Sequence, residues 1–243
     1  MTDIGHRAEE AVAEKEAWRR RLEAELAESE KRGTGLHWGR VAAAIRQCVV
    51  YRKARHLLVP PSAPFFQVRL NALMDGKLLT VPSPGMQSGF QHFDPERVSP
   101  KDRVAAARLR VPGVGLTRSA YGSPIPRPVD LVLGEVLWGA QDGALIGDGR
   151  GHLDLTCAVL TALRWVDGQA RVIAVAAEYT TSTCPQEKHD VKAHWIITRQ
   201  GAVQTTLTEA PKPAIRWEEL SLRQIRRNEV LFYLASRDKR IFA

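Results

Sequence analysis

A glycine-rich segment contains the residues of this sequence whose types and spacing could do chemistry. Gly147, Gly149 and Gly151 stand at alternate positions, Arg150 lies among them, and Asp154 follows shortly after. Glycine permits positive φ angles and lets a ligand approach the backbone without meeting a Cβ atom. A loop of this kind between a strand and a helix presents unpaired N–H groups and the positive end of the helix, which suits phosphate. The spacing is neither the dinucleotide-binding G-x-G-x-x-G nor the P-loop pattern, so phosphate binding and a plain tight loop both stand as interpretations.

Several side chains around the loop allow more than one role. Arg150 has no packing reason to lie among glycines, which favours a phosphate contact over a solvated charge. Asp154 could cap the helix that begins beside it or belong to the site. His152 could act as a general acid or base, although a loop histidine bonded to backbone is the commoner case. Glu135, near the end of the preceding strand, could contact a metal ion or a substrate, or pair with a basic neighbour.

Two aromatic residues could serve a flat ligand. Trp138 and Tyr179 each offer a surface on which a ring could stack, and either could equally belong to the core.

The composition is that of an ordinary globular protein. The chain has 243 residues, of which 44% are hydrophobic and 26% charged, so we expect residues 1–243 to form one α/β domain. No apolar stretch approaches the roughly 20 residues of a membrane helix, and residues 1–30 lack the apolar stretch of a signal peptide. These features predict a cytoplasmic protein with no membrane partner. Three widely spaced cysteines argue against a disulfide framework or a zinc site.

The net charge is +8, from 35 basic and 27 acidic residues. A basic surplus suits either nucleic acid or an anionic small substrate. The basic residues are dispersed along the chain and no RNA-binding signature accompanies them. A solvated basic surface is therefore the favoured interpretation over nucleic-acid binding.

Hydrophobic patterns predict alternating strands and helices. The predicted helices cover residues 8–31, 38–50, 67–74, 101–110, 155–165 and 220–234, the last within a basic tail from about 211 to 243. The predicted strands cover residues 77–81, 130–136, 171–178 and 195–198, and residues 82–97 are expected to be a polar loop. The alternation indicates an open, mostly parallel sheet with helices on both faces. Ligands of such sheets bind at the carboxyl ends of the strands.

Two sequence motifs carry a resemblance to a known family. The segment from Asp130 to Asp154 resembles, without a gap, the signature of 5-formyltetrahydrofolate cyclo-ligases, also called 5,10-methenyltetrahydrofolate synthetases. The loop Pro185-x-Glu187-x-His189-Asp190 and the strand after it are similar to that family's P-x-E-x-H-D loop and strand.

Three shorter matches accompany these motifs. Lys15-x-x-x-Arg19 on the first helix is similar to the family's N-terminal K-x-x-x-R. The stretches 78–84 and 211–213 look more like a subgroup called methenyltetrahydrofolate synthase domain-containing proteins.

The resemblance implies an ATP-dependent ligase with a cyclo-ligase-like fold, of the NagB–RpiA–CoA transferase type. The enzymes resembled bind MgATP and phosphorylate the formyl oxygen of 5-formyltetrahydrofolate, a reduced folate; N10 then attacks the activated carbon, and phosphate leaves. By position, the nucleotide-binding residues would be Lys15, Arg19, Gly147, Gly149, Arg150, Gly151 and His152. Arg150 and Asp154 would be catalytic, and Asp154 would also orient Mg²⁺. The substrate-binding candidates are Glu135, Trp138 and Tyr179.

The sequence also departs from the family pattern. Glu135-Val136 stands where the family usually has Pro-Gly, and His152-Leu153 where it usually has two tyrosines. The family's pterin-binding glutamate has no counterpart in residues 63–67. Two alternatives to a cyclo-ligase therefore stay open: a catalytically reduced member that binds nucleotide or RNA in a regulatory role, and a phosphosugar or coenzyme A enzyme on a related scaffold.

Overall fold

The computed structural model describes residues 2–31, 36–110, 114–115, 121–123, 125, 127–187, 190–207 and 213–238. The sheet that these residues form has nine strands in the order β4-β3-β2-β1-β5-β7-β8-β9, with β6 paired on β5. The strands are β1 (His56–Leu58), β2 (Leu78–Pro82), β3 (Phe90–Phe93), β4 (Val114–Gly115), β5 (Val129–Ala140), β6 (Leu145–Ile146), β7 (Val166–Thr180), β8 (Trp195–Thr198) and β9 (Gly201–Gln204). The five strands β2-β1-β5-β7-β8 run parallel, and β3, β4, β6 and β9 add antiparallel pairs.

Helices cover both faces of this sheet. They are α1 (Thr2–Lys31), α2 (Trp38–Gln47), α3 (Val49–Lys53), α4 (Phe66–Met74), α5 (Arg103–Ala107), α6 (His152–Ala162), α7 (Leu222–Arg227) and α8 (Glu229–Arg237). Successive residues of β5 enter opposite cores: Leu131 and Leu133 pack with the α2 and α4 side, whereas Val132 packs with the α6 and α8 side. A strand buried on both faces reads as a continuous apolar run, and the mostly parallel α/β architecture predicted from the sequence is confirmed.

Helix α1 contacts the sheet through one narrow face. Leu22 is 1% exposed and packs with Ile146 and Cys184, and the Trp18 ring lies 4.8 Å from the Trp138 ring. Val12, on the same helix, is 40% exposed. No helix within the described ranges is long and apolar enough to cross a membrane.

Several predicted boundaries were wrong. Residues 82–97 are not a continuous loop, because β3 pairs antiparallel with β2 there. The strand predicted to end at 136 continues to Ala140 and is followed by a turn at Gly143, whose φ is +86°. Strand β6 then folds back on β5, so a hairpin separates β5 from the glycine loop.

Two predicted helices also differ from the structure. The helix expected at 155–165 occupies His152–Ala162, because its first turn includes residues that the apolar pattern does not cover. The helix expected at 220–234 is two helices that meet at Asn228. The Asn228 side chain accepts a hydrogen bond from the backbone N–H of Leu231 and so caps α8.

Candidate functional site

A cleft of about 1850 Å³ opens at the carboxyl ends of the parallel strands. Its walls include residues 60–62 after β1, residues 82–86 at the end of β2 and after it, residues 133–137 of β5, and Ala177 and Glu178 of β7. This is where ligands bind in open α/β sheets. The glycine loop and the exposed edge of α1 complete the same cleft.

The glycine loop presents open backbone to this cleft. Gly149 and Gly151 have φ angles of +81° and +61°, which L side chains rarely adopt, and an added Cβ atom at Gly147 or Gly151 would meet no atom within 4 Å. Gly151 is also the residue before α6, and no side chain caps that helix end. The first N–H groups of α6 therefore lack intrahelical acceptors, and they lie in the lining of the cleft. This arrangement can hold an anion.

Arg19 joins α1 to the glycine loop. Its Nε donates to the carbonyl oxygen of Gly147 at 3.0 Å. An added Cβ atom at Gly149 would lie 2.9 Å from Arg19 Nη1, so the glycine is what lets the guanidinium approach. Among the described residues no carboxylate lies within ion-pair distance of Arg19. Its charge is consequently available to an anionic ligand.

Lys15, one turn earlier on α1, is placed differently. Its ammonium group lies 2.5 Å from the Asp190 carboxylate and 3.2 Å from that of Glu187, and both Lys15 and Asp190 are buried. Glu187 in turn lies 3.8 Å from Arg216, which precedes the C-terminal helices. Lys15 lines the cleft, but two carboxylates already balance its charge. It anchors α1 on the loop that carries them.

Asp154 does not cap α6. Gly151 occupies the capping position, and Asp154 Oδ1 accepts a hydrogen bond from the backbone N–H of Val191 at 2.8 Å, which ties the start of α6 to the segment after Asp190. His152 is the first residue of α6, is exposed and lines the cleft. His189 lies outside the described residues.

Glu135 and Arg150 both line the cleft. Partial loss of water and the nearby charge of Asp148 raise the pKa of Glu135. The Arg150 side chain is 75% exposed and lies 3.7 Å from Asp148. The backbone N–H of Arg150 donates to the same Asp148 carboxylate at 3.0 Å. Arg150 can therefore reach a ligand only by leaving or sharing a weak surface pair.

The two aromatic candidates lie outside the lining of the cleft. Trp138 packs on Trp18 of α1, and its buried indole N–H has no hydrogen-bond partner among the described residues. Tyr179 is half-buried against the core on the α6 side. Their contact with a substrate ring stays a prediction.

Other residues of the cleft were missed by the sequence analysis. His37, Trp38 and Arg40 line it at the start of α2, and Arg199 and Gln200 line it after β8. Their place in the sequence could have identified part of this set, because residues that follow parallel strands meet at the same edge of the sheet.

Two of the positions at which the sequence departs from the family pattern are occupied by packed apolar side chains. Leu153, in place of a tyrosine, packs so closely on Gly134 that a Cβ atom there would lie 2.7 Å from its Cδ1. In residues 63–67, where the family's pterin-binding glutamate has no counterpart, Phe65 is fully buried and its ring lies 5.1 Å from that of Trp38.

Comparison with known proteins shows a family match over the part of the chain that forms most of the cleft. The model of the 5-formyltetrahydrofolate cyclo-ligase family matches residues 11–199, which include α1 from residue 11 onward, the glycine loop and the loop that binds Lys15. The chain belongs to this family. Each of the cleft contacts of Arg19 and Lys15 described above is thus made within the part of the chain that the family shares.

Relatives named methenyltetrahydrofolate synthase domain-containing protein are similar over most of the chain. The protein from Homo sapiens is 26% identical over 203 residues, which cover 80% of this chain and 52% of that protein. The protein from Mus musculus is 28% identical over 201 residues, covering 78% and 52%. The chain thus spans about half the length of the curated relatives it matches.

A solved structure is also similar to this member of the cyclo-ligase family. The NMR structure of Aquifex aeolicus 5,10-methenyltetrahydrofolate synthetase matches with a TM-score of 0.49 and 14% identity, over 79% of this chain and 93% of that one.

Proposed function

We propose that this protein converts 5-formyltetrahydrofolate to 5,10-methenyltetrahydrofolate at the expense of ATP. The observation that carries the proposal is the glycine loop, with Arg19 held against it and its charge unbalanced by any carboxylate of the described residues. In this proposal residues 1–243 act as one domain, in the cytoplasm, on a small-molecule substrate.

The nucleotide half of the cleft fits a triphosphate. The uncapped start of α6 and the open space above Gly147 and Gly151 provide N–H donors and room. Arg19 supplies one positive charge, and Arg150 can supply a second. We propose that Lys15 contributes by holding α1 in place, since its own charge is balanced by Asp190 and Glu187.

A magnesium ion fits this half if the nucleotide brings most of its ligands. No group of three or more metal-binding side chains exists within the described part of the chain. Mg²⁺ commonly uses one or two carboxylates together with phosphate oxygens and water. Asp148, Glu135 and Asp154 line the cleft around the loop and are the candidates. Bound there, the ion would neutralise charge on the phosphates.

The substrate half of the cleft offers an apolar slot with few polar groups. Trp38, Pro60, Pro61 and Met86 line it, as suits a flat heterocycle. Glu135 of β5 lines the same cleft, and we propose that it contacts the substrate.

In the proposed reaction the formyl oxygen attacks the γ-phosphorus of ATP, and ADP leaves. N10 of the folate then attacks the activated formyl carbon and loses its proton. The carbon–oxygen bond breaks, inorganic phosphate leaves with the former formyl oxygen, and the methenyl bridge between N5 and N10 remains. Arg19 and Arg150 would stabilise charge on the transferring phosphoryl group, which is the principal way in which proteins accelerate such transfers.

The test follows methenyl product by its near-ultraviolet absorbance in purified protein with MgATP and 5-formyltetrahydrofolate. Arg19→Met should lower kcat/KM by at least about a hundredfold, as expected when a charge that stabilises the transition state is removed. Arg21→Met is the matched control, because Arg21 lies on the same helix, is exposed and pairs with Glu25 on that helix. It should leave the rate within about twofold.

Other outcomes separate the alternatives. MgATP binding without any product would contradict the proposed reaction and favour a regulatory nucleotide binder. Binding of RNA with an affinity that falls steeply with salt would favour the nucleic-acid alternative. Binding of MgATP with no response to folate would favour another phosphoryl-transfer substrate.

A further inference from the structure

Arg69 of α4 is a buried cation beside the cleft. Its side chain is one of the largest that are fully buried among the described residues, and the residue is only 2% exposed. Nε donates to the carbonyl oxygen of Ala107 at 2.8 Å, and Nη1 donates to the carbonyl oxygens of Pro60 at 2.5 Å and Ser62 at 3.0 Å. All three acceptors are backbone.

This guanidinium group has no carboxylate partner within ion-pair distance among the described residues. Burial lowers the pKa of Arg69 to about 10, which leaves the group charged at neutral pH. A buried charge without a counter-charge is unfavourable, and an apolar residue of similar volume is often the more stable solution at such a position. The three backbone contacts are therefore the reason that the position accommodates an arginine.

The segment that Arg69 holds forms a wall of the cleft. Residues 60–62 follow β1, line the cleft and lead into the short 3-10 turn Ala63–Phe65. Pro60 and Pro61 have no N–H group and so cannot donate a hydrogen bond to a neighbouring strand. The Nη1 atom of Arg69 donates to the carbonyl oxygens of Pro60 and Ser62 and so ties this segment to α4.

We infer that Arg69 is a positioning residue for the substrate: it fixes residues 60–62 as a rigid wall against which the flat ring packs. The inference rests on the proposed function, and it deepens that function by naming what shapes the substrate half of the cleft. If the wall already has one conformation, less conformational entropy is lost when the ligand binds, and the affinity is higher. In this role Arg69 makes no contact with the phosphates of the nucleotide.

Two substitutions separate positioning from general packing. Arg69→Met keeps most of the volume and removes every donor. Arg69→Lys retains one ammonium group, which can take the place of Nη1 and bond both Pro60 and Ser62 while losing Ala107. Arg108→Met is the matched control, because Arg108 is exposed on the same α4–α5 contact, where it lies 5.2 Å from the Phe66 ring.

Kinetics of the full chain give the first readout. Arg69→Met should raise KM for 5-formyltetrahydrofolate by about tenfold, or 1.4 kcal/mol, while KM for MgATP and kcat change less than about twofold. Arg69→Lys should restore most of the folate KM, and Arg108→Met should leave both KM values unchanged. Equal losses for both substrates, or no rescue by lysine, would overturn the inference.

Hydrogen exchange gives a readout that does not need activity. In Arg69→Met, amides of residues 62–66 should exchange faster while those of β7 do not, and Arg108→Met should show neither change. Unchanged exchange at 62–66 would overturn the positioning role even in an active enzyme. Faster exchange in a protein that never binds folate would support the fixed wall and contradict the proposed substrate, so the two failures are distinct.

Discussion

Gly147→Ala separates ligand binding from folding more cleanly than any other change in the glycine loop. Its φ is not in the left-handed region, and an added Cβ atom meets nothing within 4 Å. An unstrained glycine-to-alanine change raises the free energy of unfolding by about 0.4–1 kcal/mol, because it restricts the unfolded chain. The folded protein should therefore be as stable as the original or slightly more so.

The same methyl group projects into space that the proposed phosphates need. Displacing one charge-assisted hydrogen bond costs about 1.5–3 kcal/mol, so Kd for MgATP should rise by about ten- to a hundredfold. Stability and affinity are expected to move in opposite directions.

Isothermal titration with MgATP and urea unfolding measure the two quantities. Gly168→Ala is the matched control: Gly168 is exposed near the start of β7, outside the lining of the cleft, and its Cβ space is also empty. If Gly147→Ala and Gly168→Ala bind MgATP equally well, the glycine loop does not hold the phosphates and the reasoning is refuted.

Three further predictions concern the site and the core. Lys15→Met should lower the free energy of unfolding by about 3 kcal/mol in urea titrations, because the buried Asp190 carboxylate loses its partner; a change below about 1 kcal/mol would contradict an anchoring role. Gly149→Ala should destabilise by about 1–2 kcal/mol and weaken MgATP binding, since the new methyl group strains the backbone and displaces Arg19; an unaltered melting temperature would contradict this. Burial lowers the pKa of His56 to about 4, so the unfolded chain takes up the proton first and stability should fall as pH drops from about 6.5 towards 4, by up to about 1.4 kcal/mol per pH unit. Unfolding measured at pH 7, 6 and 5 checks the slope, and a His56→Asn variant should reduce it.

The sequence predicted the elements that are marked by their own run of apolar residues, and it missed an element that depends on pairing with a neighbouring strand. The strand predicted at 195–198 matches β8. It could be predicted because a strand whose two faces are both buried is a continuous apolar run, here bounded by polar loops. Strand β3 was missed because its four residues follow a stretch rich in proline and glycine, and its pairing with β2 is what makes it a strand.

The site was predicted in part for the same reason. Glycines at alternate positions identified the loop. Of the two roles left open for Asp154, it does not take the capping role, because Gly151 in a left-handed conformation starts α6 earlier than the apolar pattern indicates. The balance of charge on Lys15 and the wall held by Arg69 depend on partners distant in the sequence. No spacing rule specifies such partners.

The position of α1 has a consequence for the order in which the protein assembles. Arg19 bonds a residue 128 positions away, and Lys15 bonds residues 172 and 175 positions away. Closing loops of this length is entropically unfavourable, so contacts of high sequence separation form slowly. Nucleotide affinity should accordingly return in refolding only after helical circular dichroism has recovered. We therefore expect α1, which is synthesised before the sheet, to be the last of these elements to join the cleft.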